Sequence, residues 1–123
     1  MTARHFFRRP RSISAAEAID LITGGAVVID VRRESDWRRR HIPHSIHIPL
    51  GELDRRAAEL PDDRLLITFC TGGLLSSGAA NLLSELGFDA VNLGGGLIDW
   101  RAAGGALIAE DGSPPGRGQG ATG

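Results

Sequence analysis

Ala26-Val27-Val28-Ile29-Asp30-Val31 is an apolar run broken only by Asp30 and entered through Gly24-Gly25. Residues apolar at successive rather than alternate positions suit a strand covered on both faces, and such strands belong to parallel sheets sandwiched between helices. The same kind of run returns at Leu65-Leu66-Ile67-Thr68-Phe69, at Ala90-Val91-Asn92-Leu93 and, more briefly, at Ile46-His47-Ile48. Helical patterns lie between these runs. Ser14-Ala15-Ala16-Glu17 has the form of a capping box, in which the Ser14 hydroxyl and the Glu17 carboxylate satisfy free N–H groups. Ala15, Ala18, Ile19 and Ile22 then share one face, and Gly24 closes the helix. Leu50, Leu53, Ala57 and Leu60 end before Pro61, and Ala79, Leu82, Leu83 and Leu86 end before Gly87. Gly94-Gly95-Gly96 reads as a turn into a further helix with Trp100 in the core. Alternating strands and helices predict an α/β domain with a mainly parallel sheet and right-handed crossovers. The sequence shows no repeat of solenoid type.

The chain has 123 residues, with 14 Arg, no Lys and 15 acidic residues for a formal net charge of −1. That length supports one domain with a real core. Matched charges exclude a nucleic-acid module resting on electrostatics alone, and no apolar run approaches the roughly 20 residues of a membrane span. Residues 1–11 form a basic arm with Arg4, Arg8, Arg9 and Arg11, but neither an apolar stretch nor a small-residue cleavage site of secretory type follows. Residues 12–110 form the domain. Residues 111–123, rich in Gly and Pro and with no apolar side chain larger than Ala, are expected to be a disordered tail. Cys70 is the single cysteine, which rules out an internal disulfide and a Cys-rich zinc site and makes the cytoplasm the expected compartment.

Cys70 directly follows the run ending at Phe69. Ligands of open α/β sheets collect beyond the carboxyl ends of the strands. Thr71, Gly72, Gly73, Leu74, Leu75, Ser76 and Ser77 then lead into a helix. A glycine bend turns successive N–H groups toward one point, and the following helix adds partial positive charge, so a thiolate there is stabilised. Cys70 is therefore expected to have a lowered pKa and to serve as a nucleophile, against the plainer reading of a small buried hydrophobe.

Four segments together resemble the rhodanese family: Asp30-Val31-Arg32 with Asp36 and Trp37; His41-Ile42-Pro43 leading to Ile46-His47-Ile48-Pro49; the loop from Cys70 to Ser76; and Gly95-Gly96-Leu97-Ile98-Asp99-Trp100 followed by Gly104. In this order and spacing they span residues 12–108. The resemblance implies a five-stranded, mainly parallel sheet flanked by helices on both faces, with Cys70 carrying sulfane sulfur as a persulfide. It implies that the backbone of Thr71, Gly72, Gly73, Leu74, Leu75 and Ser76 cradles the anion, with no cofactor and no metal. It implies a sulfur donor such as thiosulfate, with a thiol or cyanide as acceptor, and a protein persulfide carrier is the alternative partner. The related phosphatases need a longer loop and an Arg where this chain has Ser76, which disfavours phosphate chemistry.

The sequence departs from the family at three places. Many members carry a loop cation, frequently Arg at the position of Leu75, and residues 71–77 here have no charge. Arg40 and His44 stand where the family has glycines. Asp30, Arg32 and His41 are expected behind the first ring of contacts: Asp30 and Arg32 mainly as supports, Arg32 as the nearest cation for an anionic donor, and His41 as a cap on the site. His41, His44 and His47 recur every third residue, but Pro43 and Pro49 exclude a helix presenting all three to a metal. Arg38, Arg39 and Arg40 read as a solvated face, or else as a dock for an acidic sulfur carrier. Leu74 and Leu75 either pack under the loop or face a partner. A second functional class is thus open, a rhodanese fold kept as a binding or regulatory module, and a third is a redox sensor using the thiol alone.

Overall fold

The computed structural model describes residues 11–111; most of the basic arm and of the Gly/Pro-rich tail lies outside the described residues. Five strands, β1 (Ser12–Ile13), β2 (Val27–Asp30), β3 (Ile46–His47), β4 (Leu66–Phe69) and β5 (Ala90–Leu93), form one sheet in the order β1-β5-β4-β2-β3. Every pairing is parallel, so the sheet is wholly rather than mainly parallel. Helices α1 (Ala15–Thr23), α2 (Glu34–Arg39), α3 (Leu53–Arg56), α4 (Leu74–Glu85) and α5 (Gly96–Ala102) fill the connections. Among the described residues no helix is long and apolar enough to cross a membrane.

Successive residues of a strand point to opposite faces, and the core divides accordingly. Val28, Ile67, Phe69, Val91 and Leu93 meet Ala15 and Ala18 of α1 and Trp100 of α5 on one side. Ile29, Leu66 and Ala90 meet Leu53, Ala57 and Leu60 around α3 and Ala79 and Leu83 of α4 on the other. Helices thus cover both faces of the sheet, which is why its central strands are apolar without alternation.

Several local outcomes differ from the sequence expectation. The Ser14 hydroxyl caps α1 by accepting from Glu17 N at 3.1 Å, but the Glu17 carboxylate pairs with Arg11 at 3.3 Å instead of closing the capping box. The pattern from Leu50 to Leu60 is not one helix. Leu53–Arg56 is a single α-turn between 3-10 turns at Leu50–Glu52 and Ala57–Glu59, whose three-residue repeat lines up side chains three apart. Leu86 lies one residue past α4 and is exposed. Of the two replaced glycines, Arg40 has extended backbone at φ −164°, which any residue adopts. His44 does keep a left-handed conformation, φ 67°, at a cost of about 1 kcal/mol relative to glycine.

Gly78 lies inside α4, is exposed, and a Cβ added there would meet no atom within 4 Å. Gly78→Ala is therefore expected to stabilise the fold by about 0.5–1 kcal/mol through helix propensity and reduced freedom of the unfolded chain. Urea denaturation should show a higher midpoint at unchanged slope.

Candidate active site at the end of strand β4

Cys70 is the first residue after β4, at the centre of the carboxyl edge of the sheet. Its own carbonyl accepts from Leu97 N at 3.0 Å, and that of Thr71 accepts from Ile98 N at 3.4 Å. These bonds pull the two carbonyls toward α5 and leave the following N–H groups to face the sulfur. Gly73 N and Ser76 N donate to Cys70 Sγ at 3.1 and 3.3 Å. The approach demands glycine on both sides: a Cβ on Gly96, whose φ is 52°, would fall 2.2 Å from the Cys70 carbonyl oxygen. A Cβ on Gly73, φ 90°, would fall 2.7 Å from Gly95 N. The Gly94-Gly95-Gly96 turn is thus the floor of the cysteine loop.

Burial pushes the Cys70 thiol up. The Ser76 hydroxyl and the backbone N–H groups of Ser76, Gly73 and Gly72 pull it down by more, so that its pKa lies below the ordinary thiol value. The Ser76 hydroxyl has one hydrogen and also stands 2.5 Å from Asn92 Oδ1. While it is committed there, the N–H groups are the standing donors to sulfur.

Asn92 is buried on β5, and each of its polar atoms is used. Oδ1 accepts from Ser76, and Nδ2 donates to the Gly73 carbonyl and to Ser12 Oγ, each at 3.1 Å. Thr68, paired with Asn92 across β4 and β5, donates to the Ser76 carbonyl at 2.7 Å. Thr68 and Asn92 were not singled out from sequence. Their signal was a polar residue inside an otherwise apolar strand, and only the register puts both under the loop.

Asp30 and Arg32 are buried together. Arg32 Nη2 meets Asp30 Oδ2 at 2.8 Å and the Arg40 carbonyl at 2.7 Å, and its guanidinium lies 5.2 Å from the centre of the Phe69 ring. The Arg32 charge is thereby committed to Asp30, which corrects the expectation that it is the available cation. His41 stacks on Trp37 with ring centres 3.8 Å apart and donates from Nδ1 to the Trp37 carbonyl at 2.6 Å. It does not line the cleft beside Cys70. His47 donates to the Arg32 carbonyl at 2.7 Å.

A cleft of about 390 Å³ opens over Cys70, lined by Val31, Pro49, Leu50, Leu74 and Leu75, with Thr71, Gly72, Arg32, Arg33 and Asp36. Leu74 and Leu75 do not pack under the loop: they are 82% and 57% exposed at the cleft mouth.

The chain belongs to the rhodanese-like domain family, whose sequence profile matches residues 14–103. It is 34% identical over 110 residues to an HTH-type transcriptional regulator of Mycobacterium tuberculosis, a match covering 87% of this chain but 48% of that protein. The chain therefore spans about half of that relative. It is also 34% identical over 95 residues to the thiosulfate sulfurtransferase GlpE of Pseudoalteromonas translucida, covering 76% of this chain and 90% of that one. Among solved structures, a rhodanese-related protein from Thermoplasma volcanium superposes with a TM-score of 0.75 at 33% identity, over 80% of this chain and 97% of that one.

The rate of Cys70 alkylation by iodoacetamide should reach half its maximum at a lower pH in the folded protein than in the same protein unfolded in urea. Because the folded pKa is depressed, the thiolate's contribution to stability is full above the unfolded pKa and is lost as pH falls through the folded one. The stability advantage of the wild type over Cys70→Ser should therefore grow with pH across that window. Asn92→Leu leaves Ser12, Gly73 and Ser76 without their partner and should cost about 2–4 kcal/mol in chemical denaturation.

Proposed function

We propose that the protein is a sulfurtransferase that carries sulfane sulfur as a Cys70 persulfide. The observation carrying this reading is the convergence of the Gly73 and Ser76 N–H groups on a cysteine sulfur that lines an open cleft. With thiosulfate as donor, the Cys70 thiolate attacks the outer sulfur. The new S–S bond forms as the old one breaks, and its electron pair leaves on sulfite. Cyanide or an acceptor thiolate then attacks the outer sulfur of the persulfide, and the Cys70 thiolate is the leaving group. No net oxidation occurs and no electron carrier is needed. The N–H groups of the loop stabilise the anion in both states, as an oxyanion hole does in acyl transfer. A small donor and a protein persulfide carrier both fit this chemistry, and the cytoplasm is its proposed setting. Asp30 and Arg32 support the loop from behind.

A second reading is favoured by a specific observation. No residue from 71 to 77 is charged, and Leu74 and Leu75 stand exposed where the family often has a cation. These features suit a binding or regulatory module that docks a partner over a silent cysteine.

Intact-mass measurement of the reduced protein after thiosulfate, and separately after mercaptopyruvate, separates the two readings. The sulfurtransferase gains one sulfur atom, loses it to cyanide, and shows neither change as Cys70→Ser. A protein whose Cys70 alkylates readily but which takes sulfur from no small or protein donor is the module.

A further inference from the structure

The cleft lacks a loop cation, yet it is not without a positive charge. Of the two arginines lining it, Arg32 is buried and bound to Asp30 and to the Arg40 carbonyl. Arg33 is different. It sits in the turn between β2 and α2, its side chain is 84% exposed, and its one ion pair among the described residues is a long contact of 3.5 Å from Nε to Asp36 Oδ2. Its terminal nitrogens have no partner among the described residues. Asp36 also lines the cleft and would repel an anion, but its other oxygen is held by Arg39 at 3.0 Å, so its charge does not rest on Arg33 alone. Val31, Pro49, Leu50, Leu74 and Leu75 offer an anion no charged side chain, and Gly51, Thr71 and Gly72, which also line the cleft, are uncharged.

We infer that Arg33 recognises the anionic end of the sulfur donor, doing from the β2–α2 turn what a loop arginine does elsewhere in the fold. This deepens the sulfurtransferase reading and rests on it. Arg33 is a specificity residue: it meets the donor at the cleft wall while the N–H groups hold the transferred sulfur over Cys70. Arg33 stands exposed on the cleft wall while Cys70 is buried in the cleft, so the site favours donors whose charge lies at the end away from the sulfane sulfur.

The test compares wild type, Arg33→Gln and Arg55→Gln, the last removing an exposed charge from Arg55, which does not line the cleft. Two readouts are taken: the thiosulfate concentration giving half-maximal rate of Cys70 persulfide formation, and the ratio of Cys70 alkylation rates by iodoacetate and iodoacetamide. Arg33→Gln should raise the first and lower the second by about three- to tenfold, with the maximal rate and the iodoacetamide rate little changed. Arg55→Gln should move neither. If Arg33→Gln leaves both readouts unchanged, or shifts them no more than Arg55→Gln does, the assignment is wrong. If the wild type takes no sulfur from thiosulfate, that donor fails for the sulfurtransferase reading, while the alkylation ratio still decides whether Arg33 reads anions.

Discussion

The carboxamide of Asn92 is the point on which the site depends. A buried amide must satisfy its two donors and its acceptor, because each unpaired group costs about 1–3 kcal/mol. Here the partners come from four separate parts of the chain: Ser12 on β1, Gly73 in the cysteine loop, Ser76 on α4 and, through Ser76, Thr68 on β4. The requirement that one side chain be fully bonded therefore fixes the loop relative to the sheet. Once Gly73 and Ser76 are fixed, their N–H groups have only one place to point, which is the sulfur of Cys70.

Backbone packing acts in the same direction. The loop from Cys70 to Gly73 and the turn from Gly94 to Gly96 are pressed together with no room for a side chain at Gly73 or Gly96. The carbonyls face α5 and the amides face the sulfur, so one peptide segment separates its two polarities across its own width. The lowered pKa of Cys70 is the electrostatic result, achieved against the opposing effect of burial.

Much of this architecture was legible in the residues. The central strands could be read because they are covered on both sides, and Cys70 could be placed at a strand end because glycines follow it. The two-residue β1 escaped because Ser12–Ile13 is too short to show a period, and its existence depends on pairing with Asn92 and Leu93. Helix α2 escaped because Glu34–Arg39 buries no residue and so carries no apolar stripe. In the site, Thr68 and Asn92 were hidden by register, which is a tertiary quantity. Arg32 and Arg33 are adjacent, alike in sequence and opposite in fate: one is sealed under the sheet edge with Asp30 and the other is open to solvent. Only the fold tells them apart.

The pairing of Ser12 with Asn92 also bears on the order in which the protein is made. The two residues that share this hydrogen bond are 80 positions apart, and among the described residues β1 has no neighbour in the sheet other than β5. A chain emerging amino end first carries β1 unpaired until nearly all of the domain has been synthesised. Cys70 leaves the ribosome before Asn92 does, so the nascent thiol has the reactivity of an ordinary cysteine. Its activation is a property that arrives with the last strand.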